Sequence, residues 1–390
     1  MQALMRRRLM RCAYRTMLLG GLLGSSSGVV MSLLQDRYAL GYEWGGVLLA
    51  ALSVGNLLSG FTTGMLTVRR GMRNTTLLLS TGGAAGYFAM ALTGNPWLLV
   101  LAFGLVGAAK GCVLNTDSVL VAISAEDRTQ GMNLAHSRFA LGSLVCPLLI
   151  AALGLLHWRA PMIGLGLCGC LLWLSYYAGR LPRRASRTAD GGGQWDFFHS
   201  RRFWLLTAVL FFQNCTEIAV TGWMVTYFKD TGILSGTAGQ LTVTVIWGAM
   251  LAARLVIALV LHIRNGFRAL TLMTACCIGA YLLLLQAETA VSALVLLFVF
   301  GVSIAGVNPT AVASAGKSLS SAGVGVMLPA AGVGAILMPY ITGLVASAWG
   351  IHAGMMSITF AVAGMFVSSA LLLVVRERGE AHTGSRDERP

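Results

Sequence analysis

Residues 97–122 read WLLVLAFGLVGAAKGCVLNTDSVLVA, a run without proline and apolar on every face, with Lys110 near its middle. At 1.5 Å rise per residue, about twenty such residues cross the roughly 30 Å hydrocarbon of a bilayer as a helix. A barrel strand would alternate polar and apolar residues, and this run does not. A charge at such depth is costly, and it usually marks a transport or coupling site.

The rest of the chain has the same character. Its 390 residues are 56% hydrophobic and 11% charged, with 48 glycines, which excludes an ordinary soluble globule. Apolar runs of spanning length fall at 14–35, 44–66, 75–93, 97–122, 133–156, 161–179, 203–228, 238–262, 269–286, 290–312, 323–348 and 354–375. They are numbered here as spans 1 to 12. The expected fold class is all-α and polytopic, with 12 transmembrane helices.

Of the 28 Lys and Arg residues, about 22 fall in the N-terminus, the even-numbered connections and the C-terminus. The positive-inside rule then places both termini in the cytoplasm of a multi-pass protein of the cell's inner membrane. The net charge of +14 does not indicate nucleic acid, because its clusters (Arg6 to Arg8, Arg69 to Arg73, Arg183 to Arg187, Arg201 and Arg202) abut span ends. The Arg-rich start reads as leading into an uncleaved first helix, because no small-residue cleavage site follows it. The eight cysteines lie in or beside spans without metal-ligand spacing and read as free thiols, with no metal site.

The widest hydrophilic break, near Arg180 to Arg202, divides the chain close to its midpoint. The expected organisation is a six-helix bundle over 1–180, a basic cytoplasmic linker over 181–202, a second six-helix bundle over 203–376, and a cytoplasmic tail over 377–390. The halves look like repeats. GSLVCP at 142–147 matches GAILMP at 334–339, an offset of 192, and LQD at 34–36 parallels FKD at 228–230. Asn115 parallels Asn308, and RRGMR at 69–73 parallels RNGFR at 264–268. Repeated bundles suit a secondary transporter whose midplane site opens alternately to either side. A Walker-type phosphate loop does not occur, so the expected energy source is an ion or solute gradient.

Between spans 2 and 3 the sequence GMLTVRRGMR runs from Gly64 to Arg73, and it resembles motif A of the major facilitator superfamily, Gly-x-Leu-Ala-Asp-Arg-x-Gly-x-Arg. Gly64, Arg69, Gly71 and Arg73 match the pattern, and the resemblance implies a conformational role for them. Val68 stands where the family usually has Asp. Within that superfamily the chain is similar to the fucose, galactose and glucose proton symporter group. The stretch from Gly107 to Asn115, the residues Asn133 to Phe139 with Gly142 to Pro147, and Glu217 to Tyr227 carry that similarity. The resemblance implies the major facilitator fold and proton-coupled sugar uptake. Acids of the fucose-type pattern are absent, however: Gly111 stands four positions before Asn115, and small residues surround Gly28. Glu217 matches the acidic position of glucose-type members.

Each candidate has a bland reading beside its functional one. Lys110 is too deep to snorkel; it is an anchor for a polar or anionic solute, a titrating group, or half of a structural ion pair. Glu217, at similar depth in span 7, is the other buried charge, and a Lys110–Glu217 contact that makes and breaks would couple the halves. Asp117, two turns beyond Lys110, is expected in the cytoplasmic vestibule, serving function or pairing locally with Arg138 or His136. Gln213, Asn214, Asn115 and Asn308 suit sugar hydroxyls, and they equally suit interhelical bonds. Trp223 could stack on a sugar ring, whereas Trp44, Trp97 and Trp349 read as interfacial anchors. Ser25 to Ser27, beside Gly24 and Gly28, would pack closely, kink span 1 or contact solute, with packing favoured. The run from Ala330 to Gly334 would serve as a helix contact or gating joint, and Arg254 would be conformational.

The expected function is a permease for a small polar solute, a sugar or sugar derivative, coupled to a proton gradient. It would be a monomer in the bilayer, with no cofactor and no enzymatic activity. The alternatives are an exporter of drugs or metabolites, an organic-anion transporter using Lys110, and a non-transporting scaffold.

Overall fold

Fifteen α-helices and one 3-10 turn follow in order: α1 Gln2–Ser25, α2 Ser27–Tyr38, α3 Tyr42–Arg70, α4 Met72–Leu92, α5 Pro96–Ser124, α6 Arg128–Gly154, α7 Ala160–Gly179, the turn Trp195–His199, α8 Arg201–Asp230, α9 Gly236–Leu259, α10 Gly266–Leu284, α11 Ala290–Ala305, α12 Val307–Ser318, α13 Ser321–Gly332, α14 Gly334–Trp349 and α15 Ile351–Asp387. The computed structural model describes residues 2–126, 128–179, 181–182, 195–234, 236–259, 263, 265–319 and 321–387. Most of the expected linker, Arg264 and the end of the expected span at 238–262 lie outside the described residues.

Among the described residues, eleven helical segments are long and apolar enough to cross a membrane. The twelfth expected span is represented by the shorter apolar stretch Leu241–Ile257. The surface fits that setting: Phe360 is 82% exposed, Val291 73% and Leu101 59%, and so much exposed apolar area is comfortable only against acyl chains.

Three expected spans are broken rather than continuous. Span 1 divides at Ser26 into α1 and α2, span 10 at Gly306 into α11 and α12, and span 11 at Val333 into α13 and α14. Each break releases carbonyls from the i to i−4 ladder, and hydrocarbon offers them no partner. At the other end of the chain α15 runs on to Asp387, through most of what the sequence suggests as a tail.

The chain forms two compact units. The first comprises residues 1–188, 221–248 and 339–354, and the second comprises 189–220, 249–338 and 355–390. They differ from the two sequence halves, since α8, α9, α14 and α15 contribute to both units. In the first unit α5 is central, packed on α3, α4 and α1, with α6 and α7 against α1. Glycine permits the closest approach: a Cβ on Gly107 would stand 1.9 Å from the Leu52 carbonyl oxygen, and one on Gly111 2.5 Å from that of Asn56. In the second unit α10 packs on α11 and α12.

The repeat is visible inside each unit. A Cβ on Gly142 of α6 would meet the Leu18 carbonyl oxygen of α1 at 1.9 Å, and one on Gly334 of α14 the Phe211 carbonyl oxygen of α8 at 2.3 Å. Gly142 and Gly334 are 192 residues apart, Leu18 and Phe211 193. The same contact is thus built twice from matching positions.

Candidate substrate site

In the first unit the break of span 1 organises the polar groups. Gly24 leaves room for the Lys110 stem, whose Cδ and Cε lie 3.4 Å from where a Cβ would stand. The Lys110 ammonium reaches the Gly24 carbonyl at 3.5 Å. Neighbouring carbonyls are taken by hydroxyls: Ser143 donates to Gly21 at 3.1 Å, while Ser26 at 2.9 Å and Tyr87 at 2.7 Å donate to Leu23. Ser26 and Tyr87 also bond to each other. A helix broken inside a membrane must find such donors from its neighbours. The serine patch is therefore a break with its own hydrogen-bond shell.

Asp117 is placed differently from the expectation. It is fully buried, not in a vestibule, and neither Arg138 nor His136 is its hydrogen-bond partner. Thr16 of α1 donates to its Oδ2 at 2.7 Å and Tyr176 of α7 donates to its Oδ1 at 3.0 Å. The helical phase explains this, since α1 packs on α5 and α7 packs on α1 and α4 around it. Arg138 and His136 are exposed on α6, with the Arg138 guanidinium 5.6 Å from the Tyr14 ring centre. Asn115 bonds within its own helix, donating to the Gly111 carbonyl at 2.7 Å.

The second unit holds a polar chain. Asn308 of α12 donates to the Gln213 side-chain oxygen at 3.0 Å, and Gln213 of α8 donates to Glu217 Oε2 at 2.5 Å. Gln213 is buried, and its two ends tie an amide to a carboxylate across two helices. Asn214 and Arg254 serve the other two breaks. Asn214 donates to the Ala331 carbonyl beside Val333 at 3.2 Å, and Arg254 Nε donates to the Ala305 carbonyl beside Gly306 at 3.3 Å. Lys110, Arg254 and Asn214 each reach a backbone carbonyl close to a break in a span.

Trp223 is fully buried in the first unit. Its indole N–H donates to the Pro339 carbonyl at 3.0 Å, and its ring meets Tyr42 edge-on with centroids 6.2 Å apart. In this conformation the ring is packed and has no face left for a sugar, in contrast to the stacking role expected of it. The family-like motif residues lie at the turn from α3 to α4. Gly64 and Arg69 fall within α3, and Gly71 joins the helices with φ of +79°, which only glycine adopts without strain. Arg73 follows in the first turn of α4.

Around Trp223, sequence reasoning missed a cluster that it had used only as repeat markers. Gly28 and Gly222, 194 residues apart, approach so closely that a Cβ on Gly28 would lie 2.8 Å from the Gly222 oxygen. At the same offset, Ser32 matches Thr226 and Gln35 matches Lys229. Lys229 donates to Ser32 at 3.2 Å, and Thr226 donates to Gln35 at 3.3 Å, so matched residues exchange contacts as in a two-fold interface. Lys229 further pairs with Asp36 at 2.5 Å and Asp230 at 3.5 Å, and Asp230 accepts from the Tyr42 hydroxyl at 2.8 Å. Beside this joint is a cavity of about 380 Å³ whose lining includes Ser32, Asp36, Trp158 and Lys229. A signal was available: Lys229 is one of the few basic residues outside the positive-inside pattern.

Long apolar helices, broken spans sealed by polar side chains, and charges buried at depth define a polytopic membrane transporter. The sequence model of the Major Facilitator Superfamily matches residues 16–328, and the chain belongs to that superfamily. It is a multi-pass membrane transporter of small-molecule solutes, not an enzyme. A mutant of the nucleoside transporter NupG has a similar fold, with a TM-score of 0.76 at 14% identity over 95% of this chain and 99% of that one. A bacterial homolog of the human lysosomal transporter Spinster, inward-facing and unoccupied, gives 0.75 at 14% over 95% and 98%. Its occupied form gives 0.72 at 13% over 95% and 96%. Such identities carry the fold alone. No curated protein matches the chain by sequence.

Proposed function

We propose that the protein is a secondary active transporter that moves a small polar solute, a sugar or sugar derivative, by alternating access coupled to the proton gradient. The observation that carries this reading is the Asn308–Gln213–Glu217 chain. Amides and a carboxylate inside apolar spans provide both donors and acceptors, which hydroxyl-rich solutes need. The joint around Gly28 and Gly222 supports alternation, because matched residues of the two sequence halves meet there through exchangeable polar contacts. In this reading Glu217 carries the coupled proton and Lys110 is a charge whose contacts change during the cycle. No cofactor is needed, the working unit is a monomer, and both termini face the cytoplasm of the inner membrane.

Lys110 supports a second reading, transport of an organic anion in either direction. Both are tested with purified protein in proteoliposomes, using labelled hexoses, nucleosides, sugar acids and organic acids with and without an inward proton gradient. Nucleosides join the panel because they carry a sugar and a structural neighbour transports them. Gradient-driven accumulation of a neutral solute, lost in Glu217→Gln, is the expected result. An acid-only signal lost in Lys110→Ala would replace the sugar reading with the anion reading. If the panel yields no uptake while efflux from loaded vesicles is seen, the protein is an exporter.

A further inference from the structure

A second cavity lies at the motif turn between α3 and α4, away from the polar chain and the Gly28–Gly222 joint. It has a volume of about 260 Å³, is lined by Arg70, Gly71, Arg73 and Asn74, and sits where α3 turns into α4. Three features suit it to an anion. The first is the two guanidinium groups. Among the described residues both ion pairs belong to Lys229, so Arg70 and Arg73 have no carboxylate within 4.0 Å; position 68, where the resembling motif carries an acid, is Val68. The second is the start of α4, a 21-residue helix whose cap, Gly71, has no side chain to bond the first amides. Such an end carries about half a positive charge. The third is Arg73 itself: its Nε–H is buried and has no acceptor among the described residues. The guanidinium is held 5.3 Å from the centre of the Tyr177 ring, and Tyr177 is stacked on Trp173 at 5.4 Å.

An arginine held in place against an aromatic ring, a second arginine and a bare helix start together match the oxygens of a phosphate group better than a single-point anion. We propose that this cavity binds a phosphate group, presented by an anionic lipid headgroup or by a phosphate ester in solution. Its place at the end of two spans puts it at the membrane surface, where either source can reach it.

The test uses the full-length protein purified in detergent, with two probes: phosphatidylglycerol against phosphatidylcholine, followed by native mass spectrometry, and inorganic phosphate, followed by calorimetric titration. The variants are Arg70→Gln, Arg73→Gln and Arg69→Gln. The last removes the same charge from the same turn without lining the cavity. The expected result is a loss of about fivefold or more in Arg70→Gln and Arg73→Gln with little change in Arg69→Gln, on the scale of a charge-assisted bond. Retention of phosphatidylglycerol without phosphate binding identifies the lipid as the source, and phosphate binding lost in Arg73→Gln identifies a soluble anion. Equal losses in all three variants would mean diffuse charge and overturn the site, as would no binding of either probe. Arg70 is exposed, so its variant carries the test if Arg73→Gln fails to fold.

Discussion

Lys110 is the intramembrane cation to which the proposed function gives contacts that change during the cycle. Its bond to the Gly24 carbonyl, at 3.5 Å, is at the outer limit of a hydrogen bond, and it contributes little to stability. Lys110→Met, which keeps the stem and removes the charge, is expected to lower transport at least about tenfold, the effect of roughly 1.4 kcal/mol on a rate. Paired melting and uptake assays check this, and a large fall in melting with normal uptake would give Lys110 a purely structural role. Trp223 should behave in the opposite way. Its ring is fully buried and bonded to Pro339, so Trp223→Ala should cost about 3–5 kcal/mol. Trp223→Phe should cost less, through the lost N–H bond and a smaller ring. Thermal denaturation of the three proteins ranks them.

Among the elements, the glycines decide how helices approach. Gly142 and Gly334 each face a carbonyl oxygen less than 2.5 Å from where a Cβ would be, and backbone cannot move aside as a flexible side chain can. Gly142→Val and Gly334→Val are both expected to reduce folded yield and lower the melting temperature, by several kcal/mol in the manner of overpacked cores. Gly279→Val, with nothing within 4 Å of its added Cβ, is the control. Equal behaviour of all three would show that these contacts relax freely. The breaks at Ser26, Gly306 and Val333 belong to the same scale. The serine patch and the run from Ala330 to Gly334 signalled two of them. The break at Gly306 carried no comparable sign, because glycine is common along every span.

At the scale of the whole molecule, the proposed alternating cycle gives the polar contacts around Gly28 and Gly222 a part in the conformational change. The Lys229–Asp36 pair is partly exposed, with side-chain exposures of 28% and 57%, so its static contribution is about 0.2–1 kcal/mol at most. Lys229→Ala and Asp36→Ala should thus barely change stability yet alter the transport rate several-fold, and Asp36→Lys with Lys229→Asp should restore part of it. Failure of the exchange to rescue uptake, with both single variants impaired, would mean the joint is held by the glycine contact instead. The sequence by itself determined the membrane setting, the many apolar spans and the internal matches between its halves, because hydrophobic length and matched segments such as 142–147 and 334–339 are local properties of the chain. The sequence also exposed the buried charges and amides as groups in need of partners. Tertiary structure alone decided which partners they take: Asp117 turns to Thr16 and Tyr176, Lys110 and Arg254 to carbonyls at helix breaks, and Trp223 into a packed joint. The reason is geometric, since hydrogen bonds reach only about 3 Å and the phase and crossing of neighbouring helices determine which groups come within that reach.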